Sequence, residues 1–390
     1  MSSAQYRTAD VDHASPLTVG RADYVYGIDA VRFAAALMVA AFHLTWRDPA
    51  TAESAWAGWA GVQVFFVVSG FVIANSANNT TPIEFLRSRA LRLYPAAWVC
   101  AVLSVLVLLM TPQEEIDLAR RFVASFVLAP VGPFLASAYW TLPVELAFYA
   151  LVFVLLLGRW FHRLPQLAIA LCCASSAYLG VYGMHVFGVI HAPELEFEYG
   201  IKNLSLLRHG IYFGLGMLLW LWSQGKLTVG GTCTMVLACL AALVEITCRS
   251  VEFVERSPVQ IDLWDVWLNP IAIWVVSTAA IVAATYWREE IARLPAIWLQ
   301  VLRIAGLATY PLYLLHEVHG HAVRSMLVDH GVSPMISSVA ATLFSIGVAV
   351  AVAVAAEPIA RRWLRRALKM PQAVHRTRAA GLLYRSGGVI

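Results

Sequence analysis

An arginine and a histidine share one apolar segment near the start of the chain, and both could do chemistry there. Arg32 and His43 stand eleven residues apart in GIDAVRFAAALMVAAFHLTW, a stretch long enough to cross a bilayer. An ionisable group at membrane depth costs at least about 2.5 kcal/mol, so it usually faces a polar interior and has a function. Arg32 could bind a phosphate, and His43 could act as a general base. Structural roles are also open, since Arg32 could extend to the nearer headgroups and His43 could bond to a backbone carbonyl.

Two further apolar segments bring ionisable groups to the depth expected for His43. Glu145 lies in AYWTLPVELAFYA, and His316 lies in ATYPLYLLHEVHGH. A carboxylate partner raises the basicity of a histidine and fixes its tautomer. We therefore predict that His43 is the catalytic base, that Glu145 orients it or stabilises its imidazolium, and that His316 is a second proton-handling group. Glu145 could instead serve only to hydrogen-bond a neighbouring helix.

The end of the segment ATYPLYLLHEVHGH could also be a metal site. The group comprises His316, Glu317, His319 and His321. It lacks the HExxH register, in which two histidines stand four residues apart on one helix face. We therefore predict no metal, and we assign His319 and His321 to an outer loop.

A row of arginines precedes the third apolar run. The sequence FLRSRALRLYP contains Arg87, Arg89 and Arg92, and the last two stand three residues apart, on one helical face. Guanidinium groups pair bidentately with phosphate, so Arg89 and Arg92, together with Arg32, predict a binding site for a phosphate-rich donor such as acyl-CoA. The arginine excess of cytoplasmic loops would explain the row equally well. Pro95 is expected near a helix start, where proline is tolerated.

The second apolar run, GVQVFFVVSGFVIANS, contributes Ser69 and Gly70 to the same region. Gly70 would allow another helix to approach closely, or a local irregularity beside a ligand. Ser69 is expected to hydrogen-bond between helices rather than act as a nucleophile, because no base lies near it in the sequence. We assign both residues to the donor-binding site.

These residues must be positioned by a membrane bundle. Of the 390 residues, 60% are hydrophobic and only 13% are charged, against about 25% in soluble proteins, and the mean hydropathy is +0.68. Residues 122–130 are apolar but too short to span a bilayer, so we expect a re-entrant or loop segment there. The predicted fold is an all-α bundle of about ten transmembrane helices, at residues 28–46, 59–76, 94–111, 139–158, 166–189, 204–222, 228–248, 268–286, 297–318 and 337–357.

Lysines and arginines alternate between high and low numbers from loop to loop. The side that carries the N-terminus holds most of the 28. The other side holds few, among them Arg47, Arg208, Arg249, Arg256 and Arg324. Because cytoplasmic loops collect these residues, we predict that both termini are cytoplasmic. We expect the membrane to be a bacterial inner membrane. Arg32 then lies near the cytoplasmic face and His43 in the outer half.

Three regions follow from this topology. Residues 1–27 form a cytoplasmic arm that does not resemble a signal peptide, residues 28–357 form the transmembrane domain, and residues 358–390 form a basic cytoplasmic tail. The tail is expected to bind anionic membrane lipids, with no need to invoke nucleic acid. The six cysteines fall in or at the end of predicted spans, where they indicate neither disulfides nor a metal site.

Taken together, these segments resemble the acyltransferase-3 family of membrane acyltransferases. The motifs that carry the resemblance are the pair of Arg32 and His43, FFVVSGF at 65–71, the run of Arg89, Arg92 and Pro95, YWTLPVELAFY and TYPLYLLH. The resemblance implies about ten spans, and transfer of an acyl group, usually acetyl from acetyl-CoA. It also implies an acceptor that is often a sugar of an exported glycan, and essential roles for His43 and the arginines.

Three features depart from the family's usual pattern. The opening reads IDAVRF rather than LDGLRG, which places Phe33 where a glycine is usual, and Tyr139 stands where many members have serine. These changes affect the expected details of the donor passage. Larger members append an extracytoplasmic esterase-like domain, and without one we expect a compact, single-module transferase.

The resulting hypothesis is acyl transfer across the membrane, from cytoplasmic acyl-CoA to a hydroxyl group that approaches His43 from outside. Direct transfer and an acyl-histidine intermediate both fit the sequence. An exopolysaccharide, an O-antigen or a lipid-linked sugar is the first expectation for the acceptor, although a macrolide or a lipid would fit the same residues. Trp264 and Trp267, in the predicted outer loop at 249–267, could stack on a sugar ring or belong to the aromatic belt.

A proton-coupled secondary transporter of an anionic solute is the main alternative. Transporters also place charges at mid-depth and break helices with glycine or proline. However, no inverted repeat is visible in the sequence, and a row of arginines at the inner mouth has no evident transport role. A purely structural role is disfavoured because buried charges are costly without a use. The residues therefore favour the enzyme.

Overall fold

The computed structural model describes residues 24–111, 117–195, 201–262 and 264–368, and these residues form helices and no strands, as the all-α prediction requires. Most of the predicted arm at 1–27 and the tail beyond residue 368 lie outside the described residues. The α-helices are α1 (Tyr26–Thr45), α2 (Gly61–Ala77), α3 (Pro82–Met110), α4 (Leu118–Val127), α5 (Thr141–Leu157), α6 (Leu164–Val186), α7 (Gly210–Ser223), α8 (Val229–Val254), α9 (Asn269–Tyr286), α10 (Arg288–Ala292), α11 (Ala296–Asp329), α12 (Pro334–Ala351) and α13 (Glu357–Ala367).

Ten helical segments of the described chain are long and apolar enough to cross a membrane, which confirms the predicted number. The protein is therefore a multi-pass membrane protein. Where the sequence predicted a re-entrant or loop segment, at 122–130, α4 is a helix of only 10 residues and is not one of the ten. Which side of the membrane is cytoplasmic stays a prediction from the loop charges. The ten segments are Tyr26–Thr45, Ala52–Ala77, Pro82–Met110, Ser137–Leu157, Phe161–Val186, Asn203–Ser223, Val229–Val254, Trp264–Tyr286, Ala296–Asp329 and Pro334–Ala367.

The helix α3 begins well before the span predicted at 94–111. The Thr81 hydroxyl accepts a hydrogen bond from the Glu84 N–H at 3.3 Å, and the Glu84 carboxylate accepts one from the Thr81 N–H at 3.2 Å. This reciprocal capping box, with Pro82 in the first turn, starts the helix before the arginine row. The arginines therefore lie on α3 itself, and the prediction that Pro95 stands near a helix start is wrong.

The helix α11 continues to Asp329, past the predicted end at 318. His319 and His321 are thus helical, and their assignment to an outer loop is wrong. Near the end of α11, Arg324 forms an ion pair with Asp48 in the segment that follows α1. Arg324 in the last turns of α11 thus binds a neighbouring segment, which stabilises the helix beyond the end of its apolar run.

The helices α2 and α7 approach each other closely at two glycines. A Cβ atom on Gly70 would lie 2.2 Å from the carbonyl oxygen of Phe213, and one on Gly216 would lie 2.0 Å from that of Val67. Only a hydrogen atom fits at these positions. Gly70 therefore serves helix packing, which was one of its two predicted roles, and it does not line either cavity described below.

Candidate active site

Two cavities formed by described residues follow one another along α1. The larger, of about 710 Å³, is lined by Arg32 and is called the arginine cavity. The smaller, of about 230 Å³, is lined by His43 and is called the histidine cavity. The eleven residues from Arg32 to His43 correspond to about 16 Å along a helix. Val62 lines both cavities, so the two cavities adjoin at this side chain.

Positive side chains dominate the larger cavity. Its acidic residues are Asp29, Glu84 and Glu145. Its arginines are Arg32, Arg87, Arg89, Arg92, Arg303, Arg361 and Arg365. All three arginines assigned to donor binding from the sequence are therefore brought together here. Such a surplus of one charge in a partly enclosed space attracts ligands of the opposite charge.

Two of these arginines are already paired with carboxylates. Arg303 lies 3.6 Å from Asp29 Oδ2 and contacts the Tyr24 hydroxyl. Burial, reinforced by the charge of Asp29, raises the pKa of Tyr24, so its hydroxyl stays protonated and donates to Asp29 Oδ2 at 2.6 Å. Arg361 donates to Glu357 Oε1 at 2.6 Å. The charges of Arg303 and Arg361 are thus largely compensated within the protein.

Arg32 and Arg92 differ from these two arginines. Among the described residues, neither side chain forms an ion pair or a hydrogen bond, although both line the arginine cavity. Arg92 lies 5.9 Å from the centre of the Tyr310 ring, and Arg89 lies 5.7 Å from that of Phe85. The unpaired guanidinium groups of Arg32 and Arg92 are available to bind two oxygens of a phosphate each.

Glu145 belongs to the arginine cavity. Its Oε1 accepts hydrogen bonds from Ser69 Oγ and from the Tyr149 hydroxyl, each at 2.5 Å. Ser69 thus hydrogen-bonds between α2 and α5, as predicted, and it also lines the cavity. The predicted pairing of Glu145 with His43 is wrong, because Glu145 faces α2 and Glu317 is the carboxylate beside His43. Depth along a helix does not fix the direction in which a side chain points.

His43 and Glu317 face each other in the histidine cavity. Glu317 Oε2 lies 3.8 Å from His43 Nδ1. The same oxygen accepts hydrogen bonds from Ser137 Oγ at 2.9 Å and from the Ala138 N–H at 3.2 Å. Both donors belong to the short 3₁₀ turn Ser137–Trp140, which leads directly into α5. The entry of α5 therefore fixes the carboxylate that faces the predicted base.

His316 lies edge-on to His43, with the ring centres 5.1 Å apart, and is fully buried. Its Nδ1 lies 3.1 Å from the Leu312 carbonyl oxygen, which can only accept, so Nδ1 carries the proton. The Nε2 of the neutral ring then has a free lone pair, and no described residue donates to it. His316 is chemically able to accept a proton there. Glu317 was given no catalytic role from the sequence. Its position directly after His316 was the one indication that it could lie near the site.

The other two histidines of α11 have different surroundings. His321 lines the histidine cavity, whereas His319 is buried and lines neither cavity. Across the described part of the chain, no group of three or more histidine, cysteine, aspartate or glutamate side chains is arranged to hold a metal ion.

Two aromatic side chains of the arginine cavity pack against each other, and one of them lies beside His316. Phe65 and Tyr313 line the arginine cavity, with ring centres 5.4 Å apart in an edge-to-face arrangement. The Tyr313 hydroxyl lies 3.0 Å from Thr141 Oγ1, and the Tyr313 ring lies 5.9 Å from that of His316. Tyr313 thus borders the larger cavity and contacts a histidine beside the smaller one.

A buried charge network behind the histidine cavity was not predicted from the sequence. Arg208 Nε donates to Glu245 Oε1 at 2.9 Å, and Arg208 Nη2 lies 2.7 Å from Glu252 Oε1. Arg249 lies 3.1 Å from Glu252 Oε2, and Gln63 donates to Glu245 Oε2 at 3.2 Å. Both Arg249 and Gln63 line the histidine cavity, so the network holds part of its wall.

The assignment of two of these arginines to outer loops is wrong. Arg208 is 1% exposed within the spanning segment Asn203–Ser223, and Arg249 lies inside α8. A signal was present, because Glu245, Arg249 and Glu252 are spaced by four and then three residues and so share one helical face. Opposite charges on one face indicate a paired cluster rather than loop charges.

The structure is therefore that of a multi-pass membrane protein with two polar cavities, which contain ionisable groups from the two ends of α1. The chain belongs to the acyltransferase 3 family, whose acyltransferase domain matches residues 25–356. This confirms the membership predicted from the sequence, and the match includes every site residue named there.

Two curated relatives match parts of the chain in sequence. BcsY of Komagataeibacter xylinus, which carries the provisional name of a membrane-bound transacylase, is 25% identical over 236 residues, 56% of each chain. The exopolysaccharide production protein ExoZ of Rhizobium meliloti is 32% identical over 103 residues, 24% of this chain and 32% of ExoZ. The matches thus span about half or less of each relative. No solved structure matches the chain significantly.

Proposed function

We propose that this protein is a membrane O-acyltransferase that transfers an acyl group from acyl-CoA to a hydroxyl group of an exported glycan. The first expectation for the donor is acetyl-CoA. The observation that carries the proposal is the pair of cavities along α1, one rich in arginines and one containing His43 and Glu317. A transferase must bring two substrates to one reacting point, and cavities that share Val62 offer a short connection. Family membership favours this proposal over a transporter.

In this proposal the donor binds in the arginine cavity. A CoA donor carries several phosphates, which suit the unpaired guanidinium groups of Arg32 and Arg92. The cavity volume of about 710 Å³ lies within the range of roughly 300–1,000 Å³ that is typical of ligand pockets. With the topology predicted from the loop charges, this cavity opens toward the cytoplasm of a bacterial inner membrane, where acyl-CoA is available.

The acceptor reacts beside His43. His43 takes the proton of the acceptor hydroxyl as its oxygen attacks the thioester carbonyl carbon, and Glu317 stabilises the imidazolium that forms. The carbon–sulfur bond then breaks, and the leaving thiolate takes the proton, so that an ester and free CoA are produced. His316 offers a second proton acceptor next to His43. An acyl-histidine intermediate would use the same groups, with His43 as the nucleophile.

An exopolysaccharide unit is the first choice for the acceptor, with O-antigen and lipid-linked sugars as related forms. The name of ExoZ as an exopolysaccharide production protein supports this choice. Trp46, Trp59 and Trp140 line the histidine cavity and offer flat, amphipathic faces to a sugar ring. Trp264, by contrast, is 70% exposed and lines neither cavity, so it has no part in this proposal.

Reconstituted protein tests the proposal. Liposomes that contain the purified protein receive radiolabelled acetyl-CoA and a glycan acceptor, and the label in the glycan is measured. We expect a labelled ester, and a rate about 10²- to 10⁴-fold lower for His43→Ala at normal abundance and fold. Arg120→Gln changes an exposed arginine of α4 that lines neither cavity and serves as a control with unchanged rate. Solute uptake without ester formation would overturn the proposal in favour of transport.

A further inference from the structure

The histidine cavity carries more positive charge than base catalysis requires. Its arginines are Arg47, Arg249 and Arg256. Its carboxylate is Glu317, which is engaged by His43 and the turn before α5. Arg249 is balanced, because Glu245 and Glu252 lie 3.6 and 3.1 Å from its guanidinium group. The surplus therefore resides on the other two arginines.

Arg47 and Arg256 have no carboxylate partner in the part of the chain that the structure describes. Within the described chain, neither side chain forms an ion pair or a hydrogen bond, and Arg47 only lies 5.1 Å from the centre of the Trp46 ring. Both are exposed, yet both border the same cavity. Arginines are scarce on the side of the membrane that the topology assigns to the outside, so the positive-inside trend does not explain two of them at one cavity.

The size and the walls of the cavity limit what enters it. Its volume of about 230 Å³ is below the roughly 300 Å³ at which pockets begin to enclose a whole ligand, so it accepts one unit of a longer acceptor. The rings of Phe42 and Trp46 are stacked 5.4 Å apart, and Phe253 lies edge-on 5.2 Å from Phe42. This interlocked aromatic wall, together with two unpaired cations, favours a ring-shaped unit that carries an anionic substituent.

We infer that the acceptor is anionic: the unit that enters the histidine cavity carries an oxyanion, which Arg47 and Arg256 bind while a neighbouring hydroxyl faces His43. The inference rests on the proposed function and adds the charge class of its acceptor. A guanidinium group binds a carboxylate or a phosphate through two parallel hydrogen bonds. The oxyanion is therefore the carboxylate of an acidic sugar or the phosphate of a phosphorylated or lipid-linked sugar.

A binding experiment tests the inference without acyl transfer. Three probes share one glucan oligosaccharide: the neutral form, a form with one glucuronic acid, and a form with one sugar phosphate. We expect the detergent-solubilised protein to bind one charged probe about tenfold more tightly than the neutral probe. The double variant Arg47→Gln/Arg256→Gln should reduce this ratio to about one, and the control Arg120→Gln should retain it. Preference for glucuronate identifies an acidic sugar, and preference for phosphate identifies a phosphorylated acceptor.

The inference is overturned by equal binding of all three probes, or by a preference that the double variant retains. Adding labelled acetyl-CoA to the same probes separates this result from the proposed function. One result would be that a charged probe binds in an arginine-dependent way while no probe is esterified. This result supports anion binding by Arg47 and Arg256 and counts against the proposed transferase activity. Esterification of all three at equal kcat/KM supports the transferase and overturns the anionic acceptor.

Discussion

Glu317 Oε2 lies 3.8 Å from Nδ1 of His43 and accepts two hydrogen bonds from the turn that leads into α5. One carboxylate therefore joins α1, α11 and the start of α5 at the predicted base. In the proposed reaction Glu317 is a positioning residue, because it acts on the substrates only through His43.

Replacing Glu317 tests this relationship. We expect Glu317→Gln to lower kcat roughly ten- to hundredfold, less than loss of the base itself, which is worth about 10²–10⁴-fold. The KM for acyl-CoA should not change, because Glu317 does not line the arginine cavity. Glu317→Asp should restore part of kcat, and the exposed Glu53→Gln serves as the matched control. Initial rates over both substrates check this, and an increase in the acyl-CoA KM with normal kcat would count against the assignment.

Arg92 should determine donor affinity. A hydrogen bond to a charged group is worth about 1.5–3 kcal/mol, so Arg92→Gln is expected to raise the Kd for CoA about tenfold or more. The wild-type affinity should fall as salt is added, and the variant should show a weaker salt dependence. Isothermal titration with CoA measures both effects, with Arg120→Gln as the control. An unchanged Kd in Arg92→Gln would remove this arginine from the donor site.

Gly70 should affect stability rather than donor binding. Gly70→Ala places a Cβ 2.2 Å from the Phe213 carbonyl oxygen, so α2 and α7 must separate. Overpacking of this kind typically costs about 1–3 kcal/mol. Gly347→Ala, where no described residue lies within 4 Å of the added atom, is the matched control. Thermal unfolding in detergent should show a lower Tm for Gly70→Ala alone, and a changed CoA affinity at unchanged Tm would return Gly70 to the donor site.

The ten spans were predictable because bilayer thickness fixes the length of an apolar helix. The ends of two helices were not. The helix α3 starts inside a polar sequence, where a capping box and Pro82 stabilise its first turn. The helix α11 continues beyond its apolar run because Arg324 forms an ion pair with Asp48. Hydropathy detects contact with lipid, whereas these turns are stabilised by caps and by neighbouring segments.

The candidate site was predictable in its residue types but not in its pairing. Arg32, Arg89 and Arg92 were expected to meet, and they do line one cavity. Glu145 was expected beside His43 because the two have similar depth along their helices. Depth gives only the height of a side chain, and each residue turns about 100° around its helix. The direction in which Glu145 points is set by packing between helices, which a single sequence does not reveal.

The ion pair between Asp48 and Arg324 predicts a pH-dependent stability. The hydrogen bond from Arg324 holds the pKa of Asp48 below its usual range, so the pair stabilises the fold above about pH 4 and loses this effect as the pH falls through the lowered pKa. Asp48 is partly exposed, so solvent screening keeps the effect below about 1 kcal/mol. Asp48→Asn should lower the Tm at pH 7, and its difference from wild type should shrink toward pH 3. The exposed Asp329→Asn is the control, and a pH-independent difference would contradict the ion-pair explanation.

Tyr313 should keep water away from the donor thioester. Its ring borders the arginine cavity, packs against Phe65 and lies 5.9 Å from the ring of His316. We expect removal of the ring in Tyr313→Ala to open a passage between the two cavities. Water from the side of His43 could then reach the thioester, a side reaction that closed sites prevent.

We therefore expect Tyr313→Ala to release CoA from acetyl-CoA several-fold faster than wild type when no acceptor is present, while transfer to acceptor falls. Tyr313→Phe keeps the ring and removes the hydroxyl group that lies 3.0 Å from Thr141 Oγ1, so its hydrolysis should stay low. Tyr286→Ala removes an exposed tyrosine and serves as the control. A thiol-reactive dye measures CoA release. If Tyr313→Ala retains low hydrolysis together with normal transfer, then the ring is not part of the barrier, and the two substrates must be kept apart by Val62 and the neighbouring backbone instead.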